Sequence, residues 1–483
     1  MREKRIYCLW LLLALACCYC GYSQTPGSSD SLLNRPPADT LHHAQAAAAF
    51  VVRSIYIEGN KKTKQEFILR EIPFKVGEAY ILQELVKKFE IARKQLMNTT
   101  LFHEVVVALK SFEGYNVDVS VQVRERWYIF PVPYFKPVDR NLNQWVVEQK
   151  ASLSRVNYGA KLLYNNVTGR NDKLRLWIIG GYTKQISFSY DRLYIDRKLR
   201  WGFNFSFAMG KNKEVNYNTI NDKQAFLKED SYLRNFLNIA AEATYRRAIK
   251  TRHRFGLMFT REVVSDTVVK LNPVYFPSSQ KSLSFPEIYY RVSYYDLDYI
   301  PYPTKGYAAE VFVGKKGFNK NINLWQLSLN GTGLWPLGKK TFFTLIAYGA
   351  IKLPFEQPYV TQHMLGYSDV FLQGYEYYVI DGVLAGYIKT AITRKLFNFS
   401  IKLPQGKKWT AQRIPFNFYG KIYGNTGYVY NPQPGENYLT NRMLYSTGIG
   451  IDVLTLYDFT LKLEWSFNQL GQNGLFLHRK SIF

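Results

Sequence analysis

Histidine, cysteine and paired acidic residues are where chemistry would begin in this chain, and their placement points away from catalysis. The six histidines (His42, His43, His103, His253, His363 and His478) show no ligand spacing beyond the adjacent pair. All four cysteines, Cys8, Cys17, Cys18 and Cys20, fall in one N-terminal stretch, so the chain after residue 20 has neither a disulfide nor a thiolate metal site. There is no Gly-x-Ser-x-Gly, no His-Glu-x-x-His and no phosphate loop. No catalytic, cofactor-binding or metal-binding residue is assigned, and no cofactor is implied. What remains is physical chemistry: side chains sorted between lipid and water, and strands that pair.

The segment YDFTLKLEWSF carries that signal. Tyr457, Phe459, Leu461, Leu463, Trp465 and Phe467 alternate with Asp458, Thr460, Lys462, Glu464 and Ser466. A strand crossing a bilayer needs about 9–11 residues with one face in lipid and the other in a polar lumen. The first set is therefore expected to face lipid and the second the lumen. Trp201, Phe203, Phe205 and Phe207 alternate in the same way, as do Ile186, Phe188 and Tyr190. Tyr (38), Phe (32) and Trp (9) are abundant enough to supply aromatic girdles at both membrane interfaces. No apolar run of helical-span length occurs after the N-terminus.

That N-terminus reads as a signal peptide over 1–23. Arg2, Lys4 and Arg5 precede an apolar core from Ile6 to Cys20. Cys17 could carry a lipid, but Ala14-Leu15-Ala16 is a poor recognition sequence for that. Residues 24–48, rich in Ser, Pro and Ala, read as a flexible linker. The formal charge of +26 argues for attraction to anionic headgroups or acidic partners. A secretion signal and lipid-period strands argue against nucleic acid.

Residues 49–126 form a separate unit. Ser54–Ile57 reads as a strand ended by Gly59-Asn60. Thr63 and Glu66 have capping-box spacing for a short helix. Leu82, Leu85, Val86, Phe89, Ala92 and Leu96 make a helical apolar stripe. Val105, Val107 and Leu109, then Val117, Val119, Val121 and Val123, make two alternating strands. The order is β-α-α-β-β. Residues 127–483 have room for sixteen strands at about 22 residues each with their loops, and the arithmetic alone also admits about twelve or eighteen. Poor alternation near 209–231, 265–285, 354–382 and 430–445 marks loops.

The stretches IYIEGNKKT, LREIPFKVGEAY, LMNTTLFHEVVV and VDVSVQVRER together resemble a POTRA domain. DYIPYPTKGY (Asp298–Tyr307), FLQGYEYYVIDG (Phe371–Gly382) and the terminal aromatic Phe483 resemble the barrel of the BamA/TamA superfamily. The chain as a whole resembles short, single-POTRA, Bacteroidetes-like members. The resemblance implies a mainly β fold: a 16-stranded antiparallel transmembrane β-barrel at 127–483, in the outer membrane, behind one small α+β POTRA domain in the periplasm. It implies an outer-membrane protein that inserts or translocates client proteins, with unfolded outer-membrane proteins as clients, periplasmic or lipoprotein partners, and lipid and lipopolysaccharide around it. A passive pore or specialised exporter is the alternative, and an outer-membrane lipase a further one without a nucleophile–base pair to support it.

Gln373, Gly374 and Tyr375 match the family's Arg-Gly-aromatic loop tip that folds back into the lumen, with Gln in place of Arg. The acidic partner position falls at Asn425. A neutral Gln373–Asn425 latch is expected, weaker than an ionic one. Phe483 is expected to be read by the assembly machinery when this barrel is itself inserted. In LFLHRKSIF, His478 and Lys480 share a face with Phe476 and Ile482. If that face meets lipid, each charge costs about 2–4 kcal/mol near the midplane, so a weak closing strand is expected.

Overall fold

The computed structural model describes residues 49–137, 150–319, 321–367, 369–402 and 413–480. The predicted signal peptide, the linker and Phe483 lie outside the described residues.

The first unit runs β1 (Ala49–Glu58), α1 (Gln65–Glu71), β2 (Ala79–Ile81), α2 (Leu82–Asn98), β3 (Phe102–Glu113) and β4 (Asn116–Glu125). Its sheet order is β2-β1-β4-β3, with β1 and β4 parallel and the other pairs antiparallel. β2 is additional to the sequence expectation; three residues of it pair with β1. Val117, Val119, Val121 and Val123 turn one face of β4 onto the helices, where Leu85, Phe89, Ala92 and Leu96 of α2 meet them in one buried cluster. The buried stripe of α2 is narrower than its apolar pattern, because Leu82 and Val86 are exposed. The expected capping box does not form. α1 starts at Gln65 without a side-chain cap. The Thr63 hydroxyl instead meets the Tyr128 hydroxyl (3.2 Å) and the Asn166 amide (3.0 Å), and Glu66 pairs with Arg170 (2.9 Å).

Arg53 on β1 clamps Asp118 on β4, with Nε to Oδ1 at 3.0 Å and Nη2 to Oδ2 at 2.5 Å. The Ser111 hydroxyl donates to the same carboxylate. Hydrogen bonds from Arg53, then from Ser111, pull the Asp118 carboxyl down to about 2.

The second unit is one 16-stranded sheet. Its strands are β5 (Ile129–Pro137), β6 (Val156–Asn165), β7 (Lys173–Gly181), β8 (Thr183–Tyr194), β9 (Trp201–Asn212), β12 (Arg234–Tyr245), β13 (Thr251–Val264), β14 (Ser282–Leu297), β15 (Gly306–Lys316), β16 (Leu324–Pro336), β17 (Thr341–Leu353), β20 (Leu384–Lys402), β21 (Arg413–Tyr430), β22 (Met443–Leu454), β23 (Thr460–Asn468) and β24 (Asn473–Lys480). Chain neighbours pair antiparallel along the wall. Two ribbons stand in long loops, β10 (Glu214–Ile220) with β11 (Lys223–Lys228), and β18 (His363–Leu365) with β19 (Ile380–Asp381). A short helix, α3 (Asp266–Leu271), occupies the β13–β14 loop.

Side chains alternate across the wall because the strand period is two. On β23, Leu463, Trp465 and Phe467 point outward and are about 40–46% exposed, while Thr460, Glu464 and Ser466 are buried inside. Tyr457 departs from the expected lipid face. A tight turn, closed by Thr455 N–H to Phe459 C=O at 2.9 Å, ends the alternation before β23 begins. Tyr457 adopts φ +55° there and turns its ring onto Phe130 and His103.

Two measurements test these assignments. The fragment 49–126 should unfold cooperatively by itself and lose stability as pH falls from about 4 to 2. A carboxyl held low in the folded state stabilises it above the unfolded pKa and stops doing so once protonated. Asp118→Asn should flatten that part of the pH–stability curve. In the whole chain, Leu463→Arg should lower the folding free energy in vesicles by about 2–4 kcal/mol. Leu153→Arg, exposed in a loop, should shift it by no more than about 0.5 kcal/mol.

The lumenal latch and periplasmic junction as candidate functional site

Residues 354–367 and 369–383, between β17 and β20, fold inward. Leu372, Tyr375, Tyr378 and Ile380 pack against Ala385, Tyr387, Val429 and Leu444 of the inner wall. Gly374 sits at the tip with φ +89°, and a Cβ there would lie 3.1 Å from the Ser446 Cβ. Only glycine allows both that backbone and that approach. The Asn468 amide donates to the Gly374 carbonyl (2.8 Å). The Tyr375 hydroxyl donates to the Tyr445 carbonyl (3.0 Å), and the Tyr378 hydroxyl to Gln472 (2.8 Å).

The partner of Gln373 differs from the sequence expectation. Its amide donates to Glu464 Oε1 at 2.9 Å. Asn425 instead donates to the Ser446 hydroxyl at 3.0 Å, and its Oδ1 has no partner among the described residues. The reason is acceptor strength and place. Glu464 is a buried carboxylate on β23, already facing Lys421 of β21 (2.5 Å) and His478 of β24 (2.6 Å). A charged acceptor outcompetes a neutral amide. Lys421 also reaches Asp452 of β22 at 2.6 Å. The latch is thus ionic in its wall half and neutral only in its loop half. The inward parity of Glu464 in YDFTLKLEWSF was the available signal, since a carboxylate buried in a wall requires donors.

The last strand is also corrected. β24 pairs with β23 so that Phe476 lies opposite Glu464, and His478 opposite Lys462. Phe476 and His478 therefore share the inward face, while Leu475 and Leu477 point outward and are 66% and 67% exposed. His478 stands against lumenal groups: Glu464, the Phe371 ring at 4.9 Å, and Glu376 at 3.6 Å. The imidazole therefore does not face lipid. Among the described residues, β5 and β24 form no ladder with each other, so they are the two ends of the sheet.

At the opposite end of the lumen the small domain docks onto several turns. Glu71, 2% exposed, takes both forks of Arg246 from the β12–β13 turn (2.5 and 2.9 Å). Burial alone would raise the Glu71 carboxyl, but the Arg246 charge and hydrogen bonds hold it below its ordinary value. Lys64 N–H donates to the Gly169 carbonyl (2.9 Å) in the β6–β7 turn. Ile300 N–H donates to the Asn98 side chain (2.8 Å) in the β14–β15 turn. Arg126 meets Asp458 of the β22–β23 turn at 2.6 Å, both groups buried. Sequence reasoning missed this junction, because each pair joins residues more than a hundred positions apart. Among the described residues, no three His, Cys, Asp or Glu side chains converge as metal ligands would.

These elements define an outer-membrane β-barrel preceded by one small α+β domain that sits in the periplasm. Residues 50–126 match the POTRA family (surface antigen variable number repeat), and residues 166–468 match the Omp85 superfamily domain. The chain belongs to the Omp85 superfamily. It is similar to the outer membrane protein assembly factor BamA of Neorickettsia risticii (strain Illinois), at 26% identity over 201 residues, 35% of this chain and 26% of that protein. The chain thus spans about a quarter of the length of that curated relative. The fold is shared with CdiB from Escherichia coli (TM-score 0.51, 8% identity, 89% of this chain and 75% of that one). BamA from Haemophilus ducreyi lacking POTRA domains 1–3 aligns at TM-score 0.48 and 15% identity, over 89% of this chain and 83% of that one.

The latch yields a graded expectation. With Tyr375→Cys as a reporter, adding Glu464→Ala should speed maleimide labelling at least about tenfold, because hydrogen bonds to charged groups are worth about 1.5–3 kcal/mol. Gln373→Ala should have a smaller effect in the same direction. Asn425→Ala should leave labelling unchanged; an effect as large as that of Glu464→Ala would return Asn425 to the partner role.

Proposed function

We propose that this protein inserts or translocates client polypeptides at the outer membrane without a cofactor, and that clients are strand-forming outer-membrane proteins. The observation that carries this reading is the unpaired relation of β5 and β24 among the described residues. Two strand ends without a common ladder offer backbone donors and acceptors to an incoming strand, which needs little side-chain sequence to use them. β24 has the outward Leu475 and Leu477 of a membrane strand, yet His478 ties its inner face to the latch. That arrangement keeps the strand in place, while among the described residues its edge away from β23 has no strand partner.

The periplasmic domain fits a docking role. Among the described residues β3 pairs only with β4, which leaves its other edge without a strand partner there. Val106 and Phe112 on it are exposed. An extended client, or a periplasmic or lipoprotein partner, could add there as a strand. The passive-pore alternative is disfavoured by the inward loop, whose apolar cluster fills part of the lumen.

Site-specific photo-crosslinking tests the reading. A photoreactive residue at Leu477 on β24 should capture an assembling client barrel, whereas one at Leu329 on β16, outward on the far wall, should not. Equal capture at both positions, or none at Leu477 while clients are assembling, would overturn it.

A further inference from the structure

We propose that the chamber between α2 and the lower barrel wall binds a multivalent phosphate-bearing anion. The cavity holds about 820 Å³, and nine Lys or Arg side chains line it against four Asp or Glu. The carboxylates are already committed. Glu71 takes Arg246, Asp296 takes Lys250 at 2.8 Å, and Asp191 takes Arg175. Asp298 accepts the backbone N–H groups of Thr304 and Lys305. Lys173, Arg192, Arg252 and Arg254 are left with no carboxylate within 4 Å among the described residues. Lys173 is buried, and the acid opposite it in the register, Asp191, is the one that Arg175 occupies.

The geometry suits an oxyanion larger than chloride. Arg252 and Arg254 stand two residues apart on β13 and share the inward face, so their origins are about 7 Å apart. The Arg252 guanidinium lies over the Tyr295 ring at 5.6 Å, which supports its plane from one side. Arg192 approaches from β8, held by its Nη1 donating to the Asn171 carbonyl at 3.4 Å. Guanidinium forks bind phosphate bidentately, and several on one cavity suit an anion with several charged oxygens. Like charges confined in one chamber repel, and a bound polyanion removes that cost. The ligand would touch both α2, through Lys94, and the barrel. None of this depends on whether the protein handles clients.

The phosphate could belong to a soluble molecule or to a lipid headgroup, and the experiment separates the two. The full chain in zwitterionic detergent is melted with pyrophosphate, with short-chain phosphatidic acid, and with sodium chloride at matched ionic strength. Pyrophosphate or phosphatidic acid should raise the apparent melting temperature by at least about 3 °C over chloride. A rise with pyrophosphate indicates a soluble source, and a rise with phosphatidic acid alone a lipid one. The double variant Arg252→Gln, Arg254→Gln should melt no lower than the parent without anion, and should lose the rise. Lys184→Gln with Lys211→Gln, at the far end of the wall, should keep it. An equal shift with chloride, or a full rise in the Arg252/Arg254 variant, would overturn the site. If that variant does not fold, calorimetric titration of the unaltered protein decides: no saturable binding of either phosphate ligand overturns the proposal.

Discussion

The Glu464 carboxylate is the contact on which the upper half of this molecule depends. It is 1% exposed, a position in which an unpaired charge would cost several kcal/mol. It is tolerated because three elements bring donors to it: Gln373 from the inward loop, Lys421 from β21 and His478 from β24. The dependence runs both ways. The loop has a fixed depth because its tip must reach Glu464, and Gly374 lets the backbone come close enough to do so. The pairing of β24 with β23 turns His478 to the same side, where it meets Glu464. One carboxylate thus seats the loop and ties down the inner face of the last strand.

Lipid explains the other half of the wall. Outside, side chains have only to be apolar, so Leu463, Trp465, Phe467, Leu475 and Leu477 can be exchanged for similar residues with little consequence. Inside, polar groups must find one another, and their identity matters. The lumen therefore holds the specific contacts, and the outside holds only the pattern.

That division also decides what could be read from the sequence. Alternation at β9, β8 and β23 was legible because period two survives any partner, whereas the count of sixteen strands came with the BamA/TamA resemblance. The four poorly alternating stretches correspond to the loops that contain β10–β11, α3, β18–β19 and the β21–β22 connection. What was not legible depends on contacts distant in sequence. Tyr457 belongs by composition to the greasy face of β23, but a turn set by Thr455 and Phe459 rotates it away. Thr63 has the spacing of a helix cap, yet a barrel residue a hundred positions on takes its hydroxyl. Gln373 looked neutral because its partner was sought on β21, whereas the carboxylate stands two strands further along. His478 looked misplaced because the parity of β24 is fixed by its pairing with β23, not by its own composition.

The way the periplasmic domain is fastened has a mechanical consequence. Its anchors are spread around the rim: Lys64 on the β6–β7 turn near one end of the sheet, Arg126 on the β22–β23 turn near the other, with Glu71 and Asn98 on turns between. The domain is therefore a strut across the circumference, tied on both sides of the gap that the described residues leave between β5 and β24. Any widening of that gap must lengthen the span between the Lys64 and Arg126 anchors, or tear one of them free. Since the strut has its own packed core and does not stretch, load arriving at the domain from the periplasm is passed to the two rim anchors as opposed forces, and the small domain acts on the wall as a lever.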